Sequence, residues 1–131
     1  MNPIASLTLE VLAERLAVAR LPPDAPIPQL PLTGPLLSLT VTADEISIVC
    51  AEDAAPEGAE VSSGWRALRV AGELDFSLIG ILFSLTETLA GVGVSVFALS
   101  TYTTDYLLVR AAELDQAIAA LRAAGHTIVG A

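Results

Sequence analysis

The chain has 131 residues and carries six basic side chains, all arginine, against fifteen acidic ones, for a net charge of -9. That balance repels phosphate backbones and anionic lipid headgroups, so neither nucleic acid nor a membrane surface is an expected partner. With 53% hydrophobic and only 16% charged residues, the composition excludes a disordered chain and predicts one domain or two small packed modules around a true core.

No apolar run approaches the roughly 18 residues that cross a bilayer, and the longest, residues 78–85, is interrupted by Ser84. The opening Met-Asn-Pro has no basic segment ahead of an apolar one and does not read as a secretory signal. A single cysteine, Cys50, excludes an internal disulfide, and the cytoplasm is the expected compartment.

In chain order, residues 7–11 alternate apolar with polar and residues 16–20 form a second short β-rich stretch, which together predict a hairpin or two adjacent strands. Between Leu21 and Pro35 six prolines forbid a long helix, although Asp24 could cap a single turn. Leu37, Leu39 and Val41, then Ile46 and Ile48 across Ala43-Asp44-Glu45, predict a second hairpin. Residues 51–64 hold acids, glycines, serines and a proline without a period, and read as a surface connection between two halves.

The second half is more regular. Apolar residues and arginine alternate from Trp65 to Val70 as in a strand. From Ser77 to Ala90 the spacing of Leu78, Leu82, Leu85 and Leu89 predicts an amphipathic helix, with Asp75 or Ser77 as N-cap and Gly91 as the left-handed residue after its end. Residues 94–99 and 106–109 are β-rich and flank a polar hairpin loop. Leu114, Ile118 and Leu121 mark a second helix, with Glu113 in its first turn, Arg122 in its last and Gly125 beyond, and residues 126–129 close as a strand. The order is strand, helix, strand, strand, helix, strand, an α+β arrangement with both helices on one face of an antiparallel sheet.

At Asp75-Phe76-Ser77-Leu78-Ile79-Gly80-Ile81-Leu82 and at Ser100-Thr101-Tyr102-Thr103-Thr104-Asp105-Tyr106, the sequence resembles the stand-alone ACT-domain proteins that share their architecture with cytosolic arginine sensors. The likeness extends to Arg20-Leu21-Pro22-Pro23-Asp24-Ala25-Pro26, to Glu45-Ile46-Ser47-Ile48-Val49-Cys50 and to Gly64-Trp65, and so spans Arg20 to Gly130. It implies a ferredoxin-like ACT βαββαβ module over residues 61–131, preceded by a partial, β-rich ACT-like module over residues 1–60. The first half departs from the family pattern, with proline-rich sequence in place of the first helix and the acidic loop in place of the second. Tandem or paired ACT modules bind free amino acids between modules, so the resemblance also implies an amino-acid ligand, a homodimer, and a regulated protein partner.

A free amino acid is a zwitterion, and its site must offer donors to a carboxylate beside acceptors for an ammonium. The unpaired amides of a helix opening at Ser77, Leu78, Ile79 and Gly80, with Asp75 ahead of them, suit the carboxylate. Asp105, supported by Ser100, Thr101, Thr103 and Thr104, suits the ammonium. Each residue also has a structural reading: Asp75 as a helix cap, Gly80 as a close helix-to-sheet contact, the serines and threonines as loop formers. Chemistry beyond binding finds little support. His126 and Cys50 each stand alone, one Cys and one His make no zinc site, and the absence of lysine excludes Schiff-base chemistry and a P-loop. Gly91-Val92-Gly93 follows a helix and precedes a strand, the reverse of a dinucleotide loop. The expectation is therefore a sensor without cofactor or catalytic residues. The alternatives are a ligand-free oligomerisation or adaptor domain built on the edge strand after Gly93, and an enzyme using Asp105 as base.

Overall fold

The computed structural model describes residues 6–32, 34–71 and 80–131. In chain order its elements are β1 (Thr8–Val11), β2 (Leu16–Leu21), β3 (Ser38–Val41), β4 (Ile46–Ala51), β5 (Glu60–Val70), α1 (Ile81–Ala90), β6 (Phe97–Ser100), β7 (Asp105–Arg110), α2 (Leu114–Ala123) and β8 (Thr127–Val129), with short 3-10 turns at Glu52–Ala54 and Ala111–Glu113. The chain divides into two compact units, one joining Met1–Ala13 to Arg66–Ala131 and the other formed by Glu14–Trp65.

In the Glu14–Trp65 unit the strands run β3-β4-β2 and then the first part of β5, all antiparallel. The expected β3–β4 hairpin forms, closed at Thr42, whose hydroxyl accepts the amides of Asp44 at 3.1 Å and Glu45 at 3.2 Å. Ala19, Leu21, Ile46, Ile48 and Cys50 make the core, and Ala25, Leu30 and Leu37, in and just after the proline-rich connection, pack on it. Among the described residues of this unit there is no α-helix, as the prolines require. The acidic connection is shorter than expected. β5 starts at Glu60 instead of Trp65, because Val61 and Ser62 pair with Ala19 and Val18.

In the other unit the order is β6-β7, then the later part of β5, then β1 and β8. β1 is antiparallel to β5, with Leu9 opposite Val70, and parallel to β8, with Leu9 opposite Ile128. Of the two arrangements expected of β1 and β2, a hairpin or two adjacent strands, neither a hairpin nor side-by-side pairing forms. The two strands do not pair, because Leu9 and Val11 belong to one core and Ala19 and Leu21 to the other. Leu9, Val11, Leu68, Val70, Leu107, Val109 and Ile128 form the sheet side of the core, and Ile81, Leu85 and Leu89 of α1 with Leu114, Ala117, Ile118 and Leu121 of α2 form the helix side. Each fully buried leucine contributes about 1.5–3 kcal/mol of transfer free energy, so this face dominates the unit's stability.

Both helices end in a Schellman motif. For α1 the Val94 amide donates to the Leu89 carbonyl at 3.0 Å and the Gly93 amide to the Ala90 carbonyl at 3.0 Å. The left-handed residue is therefore Gly93, at φ 77°, and not the expected Gly91, which stays right-handed at φ -61°. The overrun carries Val92 past the helix, and its carbonyl accepts Gln116 Nε2 of α2 at 2.8 Å. α2 closes as expected at Gly125, with the His126 amide on the Leu121 carbonyl at 3.1 Å.

Candidate functional site

Four of the expected site residues, Asp75, Ser77, Leu78 and Ile79, lie outside the described residues. The fifth, Gly80, is the N-cap of α1 in a left-handed conformation, φ 81° and ψ 6°, with no side chain capping the helix. The helix thus opens at Ile81, later than the expected Ser77, and the first intrahelical bond runs from the Ser84 amide to the Gly80 carbonyl at 2.8 Å. The buried stripe becomes Ile81, Leu85 and Leu89, with Leu82 only partly buried. The amides of Ile81 to Phe83 precede the first intrahelical donor and carry the partial positive charge of the helix N-terminus.

The other five residues lie on the β6–β7 hairpin. Ser100 pairs with Asp105 across the ladder, and the Ser100 hydroxyl donates to Asp105 Oδ1 at 2.6 Å. The turn between them is closed by the Thr101 amide on the Thr104 carbonyl at 2.8 Å. The Thr101 hydroxyl reinforces it, accepting the Thr104 amide at 3.3 Å and donating to the Thr104 carbonyl at 3.2 Å. Thr104 is buried, and its hydroxyl donates to the Val70 carbonyl at 2.6 Å. Thr103 is exposed at the turn.

The residues of this hairpin differ in what their side chains meet. Thr101 and Thr104 commit their hydroxyl donors to backbone carbonyls, which makes them builders of the loop. Asp105 is different. It shares its side of β7 with Leu107 and Val109, both in the helix-covered core, and so stands half-buried at the end of that face. Ser100 occupies one lone pair of one carboxylate oxygen, while an ionised carboxylate has about four acceptor positions, so capacity remains for an ammonium group. Thr104 fastens this hairpin to Val70, the last residue of β5. Sequence reading had no signal for the Val70 anchor, since a carbonyl has no residue type.

The two remaining reactive groups are taken up structurally. Cys50 is buried in the Glu14–Trp65 unit, and burial, with a smaller contribution from Asp53, pushes its thiol above 9.0. His126 is buried and accepts the Leu7 amide at Nδ1, at 3.1 Å, and burial holds its imidazole below the ordinary 6.5. Among the described residues no group of three or more His, Cys, Asp or Glu could hold a metal ion. No helix among them is long and apolar enough to cross a membrane.

Residues 60–123, which contain β5, α1, the hairpin and α2, match the family model of the ACT domain. The chain belongs to the ACT-domain proteins. A second model, that of an N-terminal domain, matches residues 14–58 and so coincides closely with the other unit. A structurally determined protein from Agrobacterium tumefaciens is 33% identical, with 96% of this chain and 94% of that one covered at a TM-score of 0.88. A Vibrio cholerae protein of unknown function is 17% identical over 88% of each chain, at a TM-score of 0.68. The ligand-free regulatory subunit of aspartate kinase from Thermus thermophilus is 11% identical over 92% of this chain and 99% of its own, at a TM-score of 0.66. The last two share the fold. Among curated proteins, none matches the sequence.

Proposed function

We propose that this chain is a regulatory protein that binds a free amino acid through its ACT unit and catalyses no reaction on it. The observation that carries the proposal is the position of Asp105, a half-buried carboxylate at the end of the helix-covered sheet face, on a hairpin fastened to the strand that leads into α1. The ligand's ammonium binds Asp105, and its carboxylate binds the amides at the start of α1, which no side chain caps. The ligand-free aspartate kinase regulatory subunit, which shares the fold, supports a regulatory role. A non-catalytic reading is supported by the burial of Cys50 and of His126, whose Nδ1 is taken up by the Leu7 amide. Occupancy of the site changes association with a second copy or with a regulated protein in the cytoplasm.

Thermal melts against each of the twenty amino acids test this reading. A ligand at 100 times its Kd adds about 2.7 kcal/mol, which at this chain length raises Tm by several degrees. No shift with any amino acid at roughly tens of millimolar would overturn it.

A second reading rests on β6. Among the described strands it pairs with β7 alone, leaving one edge of the ladder open for another copy or an adaptor partner without any ligand. Sedimentation decides this, since a monomer at micromolar concentration would remove it.

A further inference from the structure

In the unit of Met1–Ala13 and Arg66–Ala131, β1 enters the sheet between β5 and β8, and its attachment to β8 begins at a histidine. The Leu7 amide donates to His126 Nδ1 at 3.1 Å, and the Thr127 amide donates to the Leu7 carbonyl at 2.9 Å. His126 is only 7% exposed, and its own amide is held by the Leu121 carbonyl at 3.1 Å. An imidazole that accepts at Nδ1 is neutral and carries its proton on Nε2, whereas the imidazolium has an N–H at both positions. Protonation would therefore point one N–H at another, replacing the Leu7 bond with a repulsion.

We infer that His126 is a proton-operated latch on the seam between β1 and β8, closed while the imidazole is neutral and opened when it is charged. The seam is short enough for one bond to matter. Beyond Leu7 it consists of Thr8, Leu9 and Glu10 opposite Thr127, Ile128 and Val129, and among the described strands β8 has no other partner. Among the described residues, the charged groups on the surrounding elements do not rescue the imidazolium. On α2, Arg122 lies at the same end with its guanidinium on the Ile128 carbonyl at 3.3 Å, adding positive charge, while Asp115 is in the first turn at the opposite end. On β1, Glu10 is exposed and stands opposite Arg69 of β5. The ion pairs Arg15–Glu52 and Arg20–Glu60 do not involve His126. Burial independently favours the neutral ring.

NMR on the full chain between about pH 8 and about pH 5 tests the latch. The expected results are a neutral ring with its proton on Nε2 and a titration midpoint below 6.5. As the ring charges, amide protection at Leu7 and Thr127 should fall by about fivefold or more, the worth of one such hydrogen bond, while Leu107 and Val109 of β7 stay protected. In His126→Asn, whose side-chain oxygen accepts without titrating, the seam should lose this pH dependence. A ring that titrates at or above its ordinary value would overturn the latch. So would protection falling equally at the seam and at β7, and if the variant does not fold, that comparison within the native chain decides by itself.

Discussion

The Thr104 hydroxyl donates a 2.6 Å hydrogen bond to the Val70 carbonyl, and Thr104 is only 4% exposed. A loop residue is thereby joined to the end of a strand 34 positions earlier, and the Asp105 carboxylate follows directly on that joint. Thr104→Val keeps the shape and removes the donor, leaving the Val70 carbonyl without it. The expected cost is about 1–3 kcal/mol, seen as a Tm lowered by several degrees, with Thr104→Ser restoring most of it.

Asp105→Asn separates binding from folding. The amide oxygen still accepts the Ser100 hydroxyl, so denaturation midpoints should stay within about 0.5 kcal/mol of the parent. Loss of the charge facing an ammonium group should weaken amino-acid binding by about 1.5–3 kcal/mol, roughly 10- to 150-fold in Kd by calorimetry. An unchanged Kd would place the ligand elsewhere.

Gly130 lies at φ 76°, and a Cβ there would stand 2.9 Å from the Val11 carbonyl oxygen. Backbone strain and the clash act together in Gly130→Ala, for an expected loss of at least about 1–2 kcal/mol in urea denaturation. A neutral outcome would mean that the C-terminal end does not pack against β1 as described.

The register of α1 is tested by a pair of truncations. Leu85 is fully buried, whereas Phe83, two residues away, is 67% exposed. Leu85→Ala should cost about 2–5 kcal/mol and Phe83→Ala less than about 0.5 kcal/mol in the same denaturation assay. Comparable losses would indicate a rotated helix.

Stability should depend on pH through His126. Its folded pKa is lowered from 6.5 by burial, so below that value the unfolded chain binds more protons than the folded one. The contribution is fully present above 6.5 and is lost as pH falls through the folded pKa, which urea midpoints measured from neutral to acid pH should show and His126→Asn should reduce. Cys50 acts at the opposite end. Its pKa is raised above 9.0, so its contribution is lost only as pH rises through that raised value, and the folded protein should resist a thiol reagent at mildly alkaline pH until denaturant exposes the thiol.

Much of the ACT unit was legible because helices and strands advertise their periods. Leu114, Ile118 and Leu121 lie on the buried face of α2, Gly125 ends it, and Ser100 and Asp105 do bracket the hairpin turn. Where reading failed, local signals had competitors. Gly80, Gly91 and Gly93 can all take a left-handed turn, and only packing of Ile81 and Leu89 into the core selects Gly80 to open α1 and Gly93 to end its turn. Threonines near a carboxylate look alike in sequence, yet burial turns Thr104 inward to Val70 while Thr103 stays exposed.

Residue order alone determined the α+β class, the positions of most strands, the absence of a helix among the described residues across the prolines and the candidate carboxylate, since each depends on neighbours a few positions apart. Tertiary structure decided what long-range pairing controls. It took β1 away from β2 and seated it between β5 and β8, gave His126 a backbone donor 119 positions away, and fastened the Asp105 hairpin to Val70. A hydrogen bond to a backbone group leaves no mark in residue type, and only the folded chain reveals which amide or carbonyl a side chain meets.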